Sequence, residues 1–213
     1  MRNILLASAA AMILAASAQA NCAKKNWSVG LLAGWQGTSI DTKFNDGTKI
    51  NDSTYSTAPI AITLDWTHSM ANSWLYGFGV EVGGIAGNPS NNFSYAGSDY
   101  KTTFKPNAFG ALNARLGWDF GNRWSLYGLL SGRAMGAKAE LTNLTVSPST
   151  TYSKSTTVWG FGVGAGADVR FAERWKFGVE YRHYWDQDIK FNDGIGKGEL
   201  DSNLVLGKIS YDF

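Results

Sequence analysis

Glu81, Arg115, Arg133, Glu180, Arg182 and Lys208 are the residues best placed for chemistry, because each stands in a run where every second residue is apolar or aromatic. In ERWKFGVEYRHYW (173–185) one alternate set is Trp175, Phe177, Val179, Tyr181, His183 and Trp185. The other set is Lys176, Gly178, Glu180, Arg182 and Tyr184. Charges gathered on one face can line a selective pore or neutralise one another as an ionic plug. Glu180 and Lys208 fall on segments expected to pair, with a salt bridge between them. Glu81, Arg115, Arg133 and Arg182 are expected to join a wider network. With Asp65, Asp119, Asp168, Arg170, Lys176 and Asp212, that face carries acids and bases in equal number. A selective pore shows an excess of one sign, so the balance favours a plug. Glycines on the same face leave space opposite Tyr127 or Tyr184, which keeps a narrow, porin-like channel as the alternative.

Other chemistries find less support. A nucleophilic triad needs a serine within reach of a histidine and an acid to orient it. His183 instead has Tyr181 and Trp185 as its neighbours on the apolar face, and His68 lies near an aromatic cluster at Trp66. No enzymatic activity is expected, and a lipid-modifying enzyme is the second alternative. One cysteine among 213 residues excludes an intrachain disulfide and a cysteine-based zinc site, so neither metal nor cofactor is expected. GFGVGAG (160–166) has the period of a strand with small residues on one face, not the spacing of a nucleotide loop. KFNDG occurs at 43–47 and 190–194, where Asn-Asp-Gly suits a hairpin turn better than a calcium loop.

The elements that must carry these residues are strands throughout. Alternation marks eight of them, at 26–36, 58–68, 74–86, 107–119, 124–137, 157–171, 175–185 and 200–213. Short connections (69–73, 120–123, 172–174) alternate with long polar ones (37–57, 87–106, 138–156, 186–199), as in an up-and-down meander. Trp74, Trp124 and Trp175 each open a strand after a short turn. The apolar face of all eight holds Trp, Phe, Tyr, Leu and Val and no Asp, Glu, Lys or Arg. A small barrel interior is only just wide enough for side chains to fill it, so rings of tryptophan would overpack it. The reverse orientation works, with the apolar face towards lipid and charges inside. Aromatic residues cluster at strand ends, as interfacial girdles do, and ten-residue tilted strands suffice to cross. The fold expected is an all-β, eight-stranded antiparallel transmembrane β-barrel.

The termini agree. Arg2, the apolar run Ile4–Ala16 and Ala18-Gln19-Ala20 form a secretory signal over 1–20, leaving 21–213 as the barrel domain. Gln19, Ala20 and Asn21 do not suit lipidation of Cys22. Without Arg2 the chain is almost neutral, which gives no electrostatic case for nucleic acid. At the other end Ile209, Tyr211 and Phe213 alternate outward and Phe213 closes the chain.

These features resemble the small outer-membrane barrels of Gram-negative bacteria, which include opacity-type surface proteins and the membrane domain of outer membrane protein A. The resemblance spans 21–213 and rests on strand count, alternation and the terminal Phe213. It implies a monomer with periplasmic turns and surface loops. It also implies handling by the barrel assembly machinery through Ile209, Tyr211 and Phe213. Envelope integrity or surface adhesion is the function expected, with outer-membrane lipid, lipopolysaccharide and an extracellular ligand as partners. Lys43, Lys49, Lys101, Lys105, Lys138, Lys154, Lys190 and Lys197 in the long connections are candidates to meet lipopolysaccharide phosphates. The intact mass of protein extracted from outer membranes is expected to match a chain beginning at Asn21 with an unmodified Cys22. A mass retaining residues 1–20, or a diacylglyceryl adduct, overturns this reading of the N-terminus.

Overall fold

The computed structural model describes residues 25–44, 49–70, 73–95, 97–120, 123–145, 149–190 and 196–213. The signal segment, Cys22 and the Asn-Asp-Gly portions of both KFNDG repeats lie outside them. The strands are β1 (Lys25–Phe44), β2 (Lys49–Ser69), β3 (Trp74–Ala86), β4 (Ser90–Tyr95), β5 (Ser98–Asp119), β6 (Trp124–Asn143), β7 (Thr150–Arg170), β8 (Trp175–Lys190) and β9 (Gly196–Asp212). All pairings are antiparallel. β1, β2, β3, β5, β6, β7, β8 and β9 follow one another round a ring, which β9 closes on β1. The ring leaves no free strand edge at membrane depth, the condition lipid imposes on a sheet.

Alternation fixes which face is which. Leu112 and Trp159 are 67% and 63% exposed, whereas Glu81, Glu180 and Arg182 are 1% exposed. The apolar face is the outer wall and the charged face lines the bore. The three tight turns close alike: the amide N–H groups of Met70, Phe120 and Phe171 donate to the carbonyls of Trp74, Trp124 and Trp175 at 2.8, 2.8 and 3.2 Å. The three tryptophans thus hold equivalent positions, with their side chains exposed on the outer wall where interfacial aromatics lie. At the seam the Phe213 N–H donates to the Trp27 carbonyl at 3.0 Å, and Tyr211 meets Trp175 edge-on at 5.3 Å.

Strand lengths depart from expectation. β1 and β2 remain paired up to Lys43↔Lys49 and β8 and β9 up to Lys190↔Lys197, so the long connections are mostly hairpin ladder rather than loop. All eight lysines assigned to those connections lie in strands. β4 is an additional strand. β3 stops at Ala86, Gly87 takes φ +115° and Pro89 supplies no N–H, after which the chain resumes as β4 against β5.

The ring is continuous only in its lower part. β2–β3 pairing ends at Ala58↔Ala86 and β7–β8 pairing at Gly160↔Asp186. Above those points β8, β9, β1 and β2 continue as one four-stranded blade and β4, β5, β6 and β7 as another. Apolar side chains from both blades, among them Tyr55, Phe104, Met135, Val158 and Leu200, meet in one cluster across the mouth.

The glycines of β7 hold no free space. A Cβ at Gly166 would lie 2.7 Å from the Tyr127 ring, and one at Gly162 would lie 2.7 Å from the Tyr184 ring. The gap expected opposite the tyrosines is where their rings sit, which corrects the idea of room for ions there. Gly166→Ala is therefore expected to destabilise the barrel by about 1–3 kcal/mol through overpacking. Gly132→Ala, whose Cβ would meet nothing within 4 Å, is expected to stay within about 0.5 kcal/mol of the parent. Urea unfolding in lipid vesicles measures both; equal midpoints would mean that the ring contact does not constrain residue 166.

Candidate functional site: the ionic core of the bore

Inward-facing charges exist here because period-two strands place residues i, i+2 and i+4 on one face. Glu180 and Arg182 share a face of β8; Arg115 comes from β5, Glu81 from β3, Asp65 from β2 and Lys208 from β9. Arg182 reaches across the bore to Glu81, with Nη1 and Nη2 donating at 2.8 and 2.6 Å in a bidentate fork. On its own strand it also bonds Glu180, with Nε donating at 2.9 Å. Such forks are the strong form of charge-assisted hydrogen bond.

Glu180 is the hub. Besides Arg182, its carboxylate lies 3.3 Å from Arg115 Nη2 and 3.4 Å from Lys208 Nζ. Lys208 divides its charge among Glu180, Asp65 at 3.7 Å and Asp168 at 3.8 Å. Arg115 Nη2 also stands 3.1 Å from Asp65. The Tyr127 hydroxyl lies 2.8 Å from Glu180 and 3.1 Å from Asp168 and donates to one at a time. Its ring face takes the Arg115 guanidinium at 5.2 Å. The expected Glu180–Lys208 contact is thus one of several, and removing Glu180 leaves Lys208 two other carboxylates.

Arg133 belongs to a separate layer nearer the mouth. It forks onto Asp186, with Nε donating to Oδ1 at 3.0 Å, and bonds Ser202 Oγ at 2.9 Å through Nη2. Ser202 in turn bonds Thr38 and Gln36. The Arg133 guanidinium sits 4.1 Å over the Tyr184 ring, whose hydroxyl bonds Ser131 at 2.6 Å. Sequence reasoning placed Asp186 in a loop and so missed the partner of Arg133. The signal was present, since Asp186 extends the series Glu180, Arg182, Tyr184 by one more step of two.

Apolar clusters alternate with the ionic layers: Leu75 and Leu129 pack with Tyr127, and Leu32, Leu204 and Leu206 with Tyr184. Against the Tyr184 cluster a cavity of about 10 Å³ is lined by Gln36, Glu81, Arg133 and Arg182, among others. That is about enough for one water molecule. Outside the bore, Ile209 is 41% exposed on the wall. Near the long-loop end, His183 Nδ1 lies 3.0 Å from Asn203 Oδ1, which also accepts from the Tyr181 hydroxyl at 2.7 Å.

A family model described as "Outer membrane protein beta-barrel domain" matches residues 6–213. No curated protein matches the chain. Among solved structures, a major outer membrane protein from Thermus thermophilus is similar at 12% identity, covering 89% of this chain and 99% of that one with a TM-score of 0.50. The attachment invasion locus protein Ail of Yersinia pestis aligns at 14% identity over 87% and 98% of the two chains, with a TM-score of 0.42. Neisserial surface protein A aligns at 13% identity over 88% and 97%, also at 0.42. At such identities the likeness concerns the fold.

Glu180→Gln preserves shape while removing the charge that Arg182, Arg115 and Lys208 share. It is expected to destabilise the folded barrel by about 1.5–3 kcal/mol through the weakened charge-assisted hydrogen bonds, while Arg182 keeps Glu81, Arg115 keeps Asp65, and Lys208 keeps Asp65 and Asp168. The urea midpoint in vesicles reads this, and an unchanged midpoint would show that the network is dispensable for stability.

Proposed function

The chain belongs to the outer membrane protein β-barrel family and resides in the Gram-negative outer membrane, and from that premise we propose a non-enzymatic surface protein. In this reading the bore is a structural plug, and the hairpins beyond the membrane serve envelope integrity or surface adhesion. The mature protein is residues 21–213, released by cleavage of the signal segment and inserted by the assembly machinery through its Ile209/Tyr211/Phe213 end.

One observation carries the reading: the bore is filled. Among the described residues, two ionic layers, the tyrosine rings seated on Gly162 and Gly166, and the apolar cluster at the mouth pack the bore, with a cavity of about 10 Å³ beside Gln36. A hydrated ion needs a continuous path, and the two ionic layers do not turn aside without breaking ion pairs. The surroundings of His183 also support a non-enzymatic role. Its imidazole bonds an amide oxygen, and among the described residues no serine or carboxylate bonds it, so the relay of a hydrolase is incomplete.

Planar-bilayer recording of the purified, folded barrel is expected to show no steady unitary conductance. A reproducible single-channel step from pure protein would replace this reading with the narrow channel. Mass spectra of lipid A from cells with and without the protein are expected to coincide; a new or missing species would point to an enzyme.

A further inference from the structure

Where the ring opens into two blades, the strands beside each seam keep a ladder on one side only. Among the described residues these open edges belong to β2 and β8 on one blade and to β4 and β7 on the other. An open edge is a template for another chain, and proteins blunt it with bulges, brevity or proline. β2 advances from Asn51 to Thr54 while β1 advances from Ser39 to Asp41, so β2 bulges. β8 bulges likewise, advancing from Asp186 to Ile189 while β9 covers Leu200 to Gly198. β4 has 6 residues and starts just after Pro89. β7 has none of these defences. From Thr150↔Asn143 to Val158↔Met135 it runs against β6 without a shift, and the segment TTYSKSTTV holds no proline.

The free backbone groups of β7 can be assigned from its lower end. The Phe171 N–H donates towards β8, to the Trp175 carbonyl, and the Arg170 N–H towards β6, to the Arg123 carbonyl. Backbone groups alternate sides along a strand. Because β7 is unshifted, Thr151, Ser153, Ser155 and Thr157 present N–H and C=O on the side from which β8 has parted. Their small hydroxyl side chains are exposed on the outer face and do not screen that edge. Beside them lies a cleft of about 340 Å³ lined by Lys154, Thr156, Thr157, Gln187 and Asp188, among others.

A neighbouring copy in the same membrane does not fit this edge. Copies in one membrane share an orientation, so two β7 edges would meet parallel. In a parallel pair a residue facing across lies opposite one facing away, which two edges related by a two-fold axis cannot satisfy. We propose that the β7 edge from Thr151 to Thr157 takes up one extended segment of a polypeptide outside the cell, as an added antiparallel strand. Main-chain hydrogen bonds supply the affinity, and alternate side chains of the segment enter the cleft. Lys154, on the cleft side, favours an acidic residue at the facing position, and proline in the segment is excluded because it removes a donor. The proposal rests on the surface-interaction reading and names the class of partner. A conducting bore would overturn the plug and leave this edge as it is.

Fluorescence anisotropy tests it, with a labelled Thr/Ser peptide that spans Thr151–Thr157 and carries one central Glu, titrated with the folded barrel in lipid nanodiscs. The parent is expected to bind this peptide saturably and to ignore the same peptide with its backbone nitrogens methylated. Ser155→Pro removes an N–H that β6 does not use, as edge strands tolerate. It is expected to weaken binding about tenfold, the upper range for one net hydrogen bond. Ser155→Ala, which keeps the backbone donor, is expected to bind like the parent. Heat-modifiable migration in gels certifies folding, and the methylated peptide decides alone if Ser155→Pro fails to fold. Absence of saturable binding overturns the proposal, as does equal binding of the methylated peptide. A loss in Ser155→Ala matching that in Ser155→Pro overturns it too. Barrel dimers that excess peptide does not dissociate would overturn it in favour of a second copy meeting the edge from an opposing membrane.

Discussion

A charged side chain on the hydrocarbon face of a barrel costs about 2–4 kcal/mol at the bilayer midplane, and the rest of this structure follows from that penalty. A slip of one residue in any ladder would turn Glu180, Arg182 or Lys208 outward and draw Val179, Tyr181 or Ile209 into the bore. The pairs inside add a second lock, because Arg182 spans from Glu180 on its own strand to Glu81 across the bore. Two strands far apart in the ring are held to one relative height. Buried ion pairs are weak evidence for stability, since well-packed apolar residues often serve as well. Their geometry ties strands on opposite sides of the ring, β8 to β3, through one guanidinium.

The same constraint explains the glycines of β7. Tyr127 and Tyr184 need somewhere to lie, and β7, the neighbouring strand of both, receives them at their ladder partners Gly166 and Gly162, which carry no side chains. Each tyrosine then ends on a hydrogen bond, to Glu180 or Asp168 for one and Ser131 for the other. Each carries a guanidinium on its ring face, Arg115 or Arg133. Small residues and large rings are complementary parts of one packing solution.

Much of this was legible in the sequence where a membrane forces a pattern. Between the girdles every strand must alternate, so polarity, strand order and the inward set Glu81, Arg115, Glu180, Arg182 and Lys208 could be read at a period of two. Beyond the girdles the outer face meets water and no longer has to be apolar, while the inner faces pack only a small cluster at the mouth. Segments such as TKFN or TTYSKSTT then show no apolar face, although most of their residues continue a ladder. For that reason the strands were read short, β4 was not seen, and Asp186 was assigned to a loop one step past Tyr184. Partner choice was less legible still. Which carboxylate meets Arg133 depends on the stagger of strands around the ring, and no single segment records that. The glycine–tyrosine fit lies across neighbouring strands in the same way.

The two seams in the upper wall bear on how such a surface diversifies. Among the described residues, no hydrogen-bond ladder runs from one blade to the other above Ala58↔Ala86 and Gly160↔Asp186. A change of length or sequence in the β8–β9–β1–β2 half does not propagate into β4–β5–β6–β7 as a shift of stagger. Each half is a separate module for variation standing on a common cylindrical base, and the seams act as expansion joints. Insertions at the hairpin tips are absorbed within one half, while the membrane-spanning section keeps its geometry.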